Sequence, residues 1–440
     1  MVIDLSLKNI IARVAALLAA TGLAALLVII VFSNFIIGTM IDDRKRFSRN
    51  ELASPVYHFP NSARLHARMA EAELIDRERD LASAESHALT AIRLSPYDFR
   101  FPLILASVKE AGGDRQAAGE QLRKALALAP NNQAVRYRLA NLLLREGRLE
   151  ESIEEFRIAV VTETRLLAAT IDLIWQVSNN DVNMIERVTG DSAKAQMTLA
   201  QFLAKQSRAE DAARVFSRID RQARLASAET PAFLKSLIDA GHTVIARELW
   251  AGLWSAREPE NPLVWNGSFE TDISKNLGHF DWAISELAVR KDLNKETRYA
   301  RLGIDRSTAR SGARSLKIEF TGENTTRLDG EIKQLIALKP GARYRLECYA
   351  KSEGLITPQG PRLVVTGGES TIDPKQEPVS EPVAAGSTDW QHLTVDFIAP
   401  QGKTPGQSSV LIAIKRIPKF SYDEPTKGIV WFDDFTIKQQ

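Results

Sequence analysis

Carboxylates stand near both ends of the C-terminal third of the sequence. Glu270 closes the turn-forming segment NGSFE (266–270), and Asp433 and Asp434 are adjacent within IVWFDDFTI (429–437). Two carboxylates that share a site repel each other unless one is protonated or a cation lies between them. With backbone carbonyls such a pair can bind Ca²⁺, whereas across a sugar cleft it can hydrolyse a glycosidic bond. Which chemistry applies depends on the elements that position Glu270 and Asp434.

Nothing else in the sequence favours catalysis or nucleic-acid binding. The motifs HExxH, G-x-S-x-G, the P-loop and GxGxxG are absent. Six histidines are scattered without the spacing of metal ligands, at 58, 66, 87, 242, 279 and 392. Lys and Arg number 57 against 55 Asp and Glu, so the net charge of +2 gives no electrostatic case for nucleic acid. The sequence therefore predicts a protein that is not an enzyme.

The C-terminal third has the alternation of β-strands. Residues alternate between apolar and polar, with β-branched and aromatic side chains, in SLKIEF, GEIKQLIAL, RYRLECYAK, RLVVTG, QHLTVDFIA, SVLIAIKRI and IVWFDDFTI. This pattern predicts an all-β jelly-roll sandwich over 261–440. The first and last strands of a jelly roll can lie side by side, and we expect NGSFE and IVWFDDFTI to do so. That pairing would bring Glu270 close to Asp434.

The same segments, in order, resemble a known family. NGSFE, FDW (280–282), SGARSLKIEF, LKPGARYRLECYAKS, TDWQHLTVDFIAP and WFDDFTI together resemble the galactose-binding-like jelly roll of carbohydrate-binding modules. The resemblance implies a structural Ca²⁺ with Glu270 and Asp434 as side-chain ligands, completed by carbonyls near Ser268 and in the Ala313–Arg314 turn. The alternative is a surface strand end with solvated acids.

The resemblance also implies a glycan ligand, and aromatic faces would bind it. Tyr299, Phe420 and Tyr422 lie in turn-like segments and are the predicted sugar contacts. Four other aromatic residues are predicted to pack inside the sandwich, namely Trp282, Tyr344, Trp390 and Trp431.

The middle of the chain repeats. AIRLSP (91–96) matches ALALAP (125–130), an offset of 34 residues, and each unit holds two helix-period stretches around a Gly-containing break. This period is typical of the tetratricopeptide repeat and predicts an all-α solenoid over 61–258. Resemblance to that family implies a groove for a peptide or protein partner. Arg100, Tyr137 and Asn141 are its candidate residues, with His66, Met69 and Leu103 at equivalent positions. The alternative is a spacer without a ligand.

The N-terminal region predicts a membrane anchor. No charged residue occurs from Val14 to Thr39, which suffices for the ~20 apolar residues of a transmembrane helix. We expect a tail at 1–9, a membrane-spanning helix at 10–40 and a linker at 41–60; the alternative is a helix buried in a soluble core. Basic residues at 44–49 weakly favour a cytoplasmic C-terminal part, but a sugar-binding sandwich favours extracytoplasmic C-terminal domains.

These interpretations combine into one functional prediction. The chain is expected to be a non-catalytic, single-pass membrane scaffold whose solenoid binds a protein and whose sandwich binds a polysaccharide. Such a protein would act in envelope or exopolysaccharide handling. The rival is a purely structural protein–protein assembly factor whose sandwich has no sugar site.

Overall fold

The structure is a computed structural model of the 440-residue chain. It describes residues 10–40, 47–76, 80–162, 164–254, 263–285, 287–292, 295–323, 327–368, 372, 376–420 and 423–440. The chain divides into two compact units, Met1–Gly190 and Asp191–Gln440.

The first unit is helical. Polar side chains fix where several of its helices begin: Asp80, Asp114 and Asn132 each accept a hydrogen bond from the backbone amide three residues later, at 3.0–3.1 Å. Alanines at the repeated positions, such as Ala91 and Ala125, are fully buried where the paired helices approach. The helices are Ile10–Met40 (α1), Arg49–His58 (α2), Ala63–Ile75 (α3), Leu81–Leu94 (α4), Arg100–Ala111 (α5), Arg115–Leu128 (α6), Gln133–Arg145 (α7), Leu149–Thr162 (α8), Leu167–Val177 (α9) and Val182–Thr189 (α10).

The predicted membrane anchor is not supported. A spanning helix must be both ~20 residues long and continuously apolar, because unpaired polar groups are costly in hydrocarbon. Within the part of the chain that the structure describes, no helix meets both requirements. On this finding the predicted membrane-spanning helix at 10–40 and the single-pass membrane localisation are wrong.

A helix lies inside the predicted linker. Helix α2 occupies Arg49–His58 within the segment 41–60 that was expected to be a linker. Its start is fixed by the Glu51 carboxylate, which accepts hydrogen bonds from the Ser48 amide and hydroxyl at 2.7 and 2.8 Å. Leu52 is fully buried against α3, and this burial holds the short helix in place.

The second unit begins with five helices and continues into a β-sandwich. The helices are Ala193–Lys205 (α11), Ala209–Arg218 (α12), Arg221–Ala226 (α13), Thr230–Asp239 (α14) and Thr243–Ala251 (α15). The pairs α11–α12 and α14–α15 lie within the range 61–258 that was predicted to be a helical solenoid. Helix α15 packs on the sandwich: the indole N–H of the fully buried Trp250 donates to the Leu277 carbonyl at 2.5 Å.

In the part of the second unit that the structure describes, ten strands form two antiparallel sheets. The strands are Ala283–Ile284 (β1), Leu287–Asp292 (β2), Lys295–Asp305 (β3), Ser315–Thr321 (β4), Leu328–Leu338 (β5), Arg343–Ile356 (β6), Arg362–Gly367 (β7), Gly386–Ile398 (β8), Ser408–Arg416 (β9) and Lys427–Gln439 (β10). One sheet has the order β1-β5-β9-β7, and the other has the order β2-β3-β4-β10-β6-β8. Inward-facing residues of both sheets form one apolar core.

All seven predicted strand segments are strands, but their expected pairing is wrong. Strand β10 lies between β4 and β6, whereas the first strand, β1, belongs to the other sheet. The segment NGSFE is a turn followed by irregular backbone, in which Asn266 and Phe269 have positive φ angles. It contacts β10 through a backbone hydrogen bond from the Phe435 amide to the Gly267 carbonyl at 2.9 Å, and through the Phe269 ring, which packs edge-on against Phe435. The side chains of Glu270 and Asp434 both contact the loop 310–314, but at different residues of it.

Candidate functional site

Glu270 holds a short loop between β3 and β4. Its Oε1 atom accepts hydrogen bonds from the amides of Ala313 and Arg314, at 2.8 and 2.9 Å. Gly312 has a φ of +64°, and a Cβ at this position would lie 2.3 Å from the same oxygen. The loop therefore needs glycine both for its backbone conformation and for the approach of the carboxylate.

Strand β10 holds the same loop from the other side. The Asp433 Oδ2 atom accepts from the Arg310 amide at 2.8 Å. Asp434 accepts from the Arg310 guanidinium at 2.6 Å and from the Ser311 hydroxyl at 2.5 Å. A register shift between Asp433 and Thr436, together with a φ of +54° at Asp434, lets both side chains reach the loop. We call Glu270, Asp433, Asp434 and the loop 310–314 the acid clasp.

Asp433 is the buried member of the acid clasp. Its side chain is fully buried, and burial raises its pKa to about 6, with a further upward contribution from the Asp434 charge. Hydrogen bonds from the amides of Arg310, Asp434 and Ser311 act in the opposite direction. The sequence prediction missed Asp433, because strand alternation gives no sign that a bulge turns its carboxylate towards a loop.

The acid clasp does not fit a bound Ca²⁺ as it is arranged. Calcium takes six to eight oxygen ligands. Here Glu270 Oε1 and both Asp434 oxygens accept from N–H or O–H donors, and the Arg310 guanidinium lies beside Asp434. The Ala313–Arg314 turn presents amides to Glu270 where carbonyls were expected. Among the described residues, no group of three or more His, Cys, Asp or Glu side chains could hold a metal ion.

A second candidate lies on the repeats. A small cavity of about 50 Å³ opens between α3 and α5. Three arginines and one acid surround an apolar base in what we call the arginine pocket, formed by Arg64, Arg68, Arg100, Glu71, Ala67, Phe101 and Ile104. Arg68 pairs with Glu71 at 2.8 Å, and Arg100 Nε donates to Asp98 at 2.9 Å. Arginine outnumbers carboxylate around the cavity, so the pocket favours an anionic group.

The predicted groove residues divide between surface and core. Arg100 belongs to the arginine pocket. Tyr137 packs edge-on against Phe156, with ring centroids 5.2 Å apart, and Asn141 donates to the Tyr137 carbonyl at 2.8 Å. His66 and Met69 are buried, at 8% and 6% exposure, and cannot line an open groove. His66 instead lies 2.8 Å from His87, Nδ1 to Nδ1.

Of the predicted sugar contacts, only Phe420 has a described side chain. Phe420 is 46% exposed, and the Lys419 ammonium lies 5.4 Å from its ring centre. Tyr422 and the side chain of Tyr299 lie outside the described residues. Trp282, Tyr344 and Trp431 are buried as predicted, whereas Trp390 is partly exposed on the edge strand β8. The prediction of a core position for Trp390 is wrong, because its residue of β8 faces away from the other sheet.

Comparison with known proteins supports the repeat. Residues 111–159, which cover α6, α7 and most of α8, match the family model of the tetratricopeptide repeat. This part of the chain is therefore similar to a class of helical repeat proteins that generally mediates protein–protein interaction and scaffolding. No curated protein matches the chain.

Solved structures show low similarity. MamA is 13% identical, with 39% of this chain and 84% of that chain covered and a TM-score of 0.26. A thermophilic tetratricopeptide protein of Thermus thermophilus is 26% identical. The alignment covers 30% of this chain and 70% of that chain, with a TM-score of 0.26. The CBM22-1–GH10 modules of xylanase 10B from Clostridium thermocellum, solved with xylohexaose, are 16% identical, with 40% and 28% covered and a TM-score of 0.25. At these TM-scores none of the three assigns a function.

Proposed function

We propose that this chain is a non-catalytic scaffolding protein whose repeats bind a partner through an acidic peptide segment. The observation that carries the proposal is the arginine pocket, in which Arg64, Arg68 and Arg100 surround an apolar base between two repeats. A guanidinium binds a carboxylate with two parallel hydrogen bonds, and the neighbouring, partly buried Ile104 suits an aliphatic side chain beside it. The preferred segment carries an Asp or Glu next to an apolar residue.

Charge around the pocket supports an anionic partner. The pKa of Asp98 is lowered, chiefly by its hydrogen bond from Arg100 and also by the charge of Arg64. Asp98 therefore stays ionised and orients the Arg100 guanidinium. An incoming carboxylate would bind a guanidinium that is already ordered, so that binding would not lose the entropy of ordering that side chain.

Peptide selection on the full-length chain tests this proposal. A displayed random-peptide library should yield acidic sequences, and their Kd should rise at least tenfold in Arg64→Glu, because a charge-assisted hydrogen bond contributes ~1.5–3 kcal/mol. Arg93→Glu, an exposed position on α4 outside the pocket, is the matched control and should leave the Kd unchanged. Selection of sequences without acidic residues, or equal effects of the two variants, would refute the proposal.

A glycan ligand for the sandwich is a second candidate. It is supported by the exposed ring of Phe420, since a pyranose packs its C–H face on an aromatic ring. Retention of the full-length chain on xylan or β-glucan affinity gels should be lost in Phe420→Ala. Absence of retention on every polysaccharide tested would favour the rival assembly factor, whose sandwich has no sugar site.

Structural calcium is a separate proposal for the acid clasp. The support for this proposal is that both predicted ligands, Glu270 and Asp434, contact the loop 310–314. Calcium binding would require the Arg310 guanidinium to move away from Asp434. Calcium added to the chelator-treated protein should then raise its melting temperature, and Arg310→Ala should strengthen the effect. An unchanged melting temperature in both proteins would eliminate calcium from this site.

A further inference from the structure

A large cavity lies at one edge of the sandwich, away from the acid clasp and the arginine pocket. Its volume is about 620 Å³, and it lies between the segment 273–279, strand β1 of one sheet and residues 302–304 of β3 in the other. Strand β1 is the edge of its sheet, and the pairing of β2 with β3 ends at Leu287–Arg301. In the described strands, residues 302–305 therefore pair with β4 alone. At this edge, described residues of both sheets line the cavity.

The cavity has aliphatic walls where it meets the sandwich core, and its polar lining residues, including Asn276 and His279, belong to the segment 273–279. Ile273, Ile284 and Ile304 are partly buried and pack against the main core, and Leu302 is 5% exposed. Trp282 also contributes, but it is 2% exposed, its ring packs against Phe269 and Phe435, and its indole N–H donates to the Asn266 carbonyl at 3.1 Å. No free indole face is left for a sugar ring. The walls suit a flexible hydrocarbon chain.

The mouth of the cavity is polar and preformed. Ser274 donates its amide to Asp281 Oδ2 at 2.9 Å, and its hydroxyl accepts from the Leu277 amide at 3.2 Å. These bonds fix the segment that presents the exposed Lys275 at the rim. Lys275 is the charged residue among the described lining residues, which include no carboxylate. A ligand that reaches the rim meets a positive charge.

We propose that this cavity binds an anionic single-chain amphiphile of the fatty-acid class, with its hydrocarbon tail between the sheets and its carboxylate beside Lys275. The volume lies within the ~300–1,000 Å³ of small-molecule sites. Burial of each methylene supplies most of the affinity, and the ammonium selects the head group. This site is independent of the partner-binding proposal for the repeats.

Calorimetric titration of the full-length chain with octanoate, decanoate and dodecanoate tests the tail. Affinity should rise roughly fourfold with each added methylene, because burial of one CH₂ is worth ~0.8 kcal/mol. Ile304→Trp, which places a larger side chain against the cavity, should abolish binding. No saturable binding, affinity independent of chain length, or full binding by a correctly folded Ile304→Trp variant would overturn the proposal.

A surface charge reversal tests the head group without risk to the fold. Lys275→Glu should weaken dodecanoate binding about fivefold and leave binding of the uncharged dodecyl maltoside unchanged. Lys339→Glu, an exposed lysine at the β5–β6 turn, is the matched control. Equal loss of dodecanoate binding in both variants would show that only the net charge of the protein matters, and would exclude a head-group site at Lys275.

Discussion

At the scale of single residues, burial decides which of the two adjacent aspartates is chemically unusual. Asp433 is fully buried, whereas Asp434 is held by the Arg310 guanidinium and the Ser311 hydroxyl. The pKa of Asp433 is raised from 3.8 to about 6, so the folded chain binds more protons than the unfolded chain between these values. Stability from this group is complete below pH 3.8 and is lost as the pH rises through about 6.

We therefore predict that Asp433→Asn changes the pH dependence of stability. Relative to this variant, the wild-type sandwich should lose stability between pH 4 and 7, by at most ~3 kcal/mol. Hydrogen exchange of the loop 310–314 measures the effect locally. Parallel pH profiles for the two proteins would mean that Asp433 titrates normally.

Titration of His87 should change stability with pH in the opposite direction to titration of Asp433. Burial lowers its pKa below 6.5, as do the charges of His66 and Arg49, whereas Glu73 raises it. The unfolded chain then binds the extra proton, so stability is complete above pH 6.5 and falls as the pH drops below that value. The protection factors of α3 and α4 amides, in which the intrinsic pH dependence of exchange is divided out, should fall from pH 7 to 5 in the wild type and fall less in His87→Gln. An equal fall in both proteins would assign the effect to other groups.

At the scale of elements, the loop between β3 and β4 depends on one glycine. Gly312→Ala should lower the free energy of unfolding by about 3 kcal/mol or more. The substitution strains a residue in the left-handed conformation and displaces the Glu270 carboxylate, which accepts two hydrogen bonds. Gly386→Ala also has a positive φ, of +90°, but its Cβ would meet open space. It should cost only the strain, about 1–2 kcal/mol. Chemical denaturation compares the two, and equal costs would mean that the Glu270 contacts add nothing.

The alternation of side chains predicted seven strands, but it did not predict β1, β2 or β3. Strand β1 has only two residues, and LAVRKD and KETRYARLGID are crowded with charged residues, so that the apolar face of β3 is confined to Ala300, Leu302 and Ile304. The sequence also predicted that Glu270 lies close to Asp434, and in the structure both side chains contact the loop 310–314. It could not predict how, because a register shift and three residues with positive φ, Asn266, Phe269 and Asp434, are set by tertiary contacts.

At the scale of the second unit, Trp250 joins helix to sandwich. It is fully buried, its ring lies 4.9 Å from Trp265 and 5.7 Å from Phe280, and the Arg247 guanidinium lies 5.0 Å from its centre. Trp250→Ala should lower the free energy of unfolding by about 3–5 kcal/mol. It should also split the calorimetric transition of this unit into separate transitions for the helices and the sandwich. Trp390→Ala, partly exposed on β8, should do neither. A single unchanged transition in Trp250→Ala would show that the contact does not couple helix and strands.

The position of β10 has a consequence for biosynthesis. Although it follows every other strand in the sequence, β10 lies in the middle of the six-stranded sheet, between β4 and β6. During translation β4 and β6 leave the ribosome long before the strand that joins them, and until then each has an unpaired edge. The nascent chain must therefore keep two strand edges from aggregating until β10 has been made, so a holding chaperone should matter more to its yield than to its final stability.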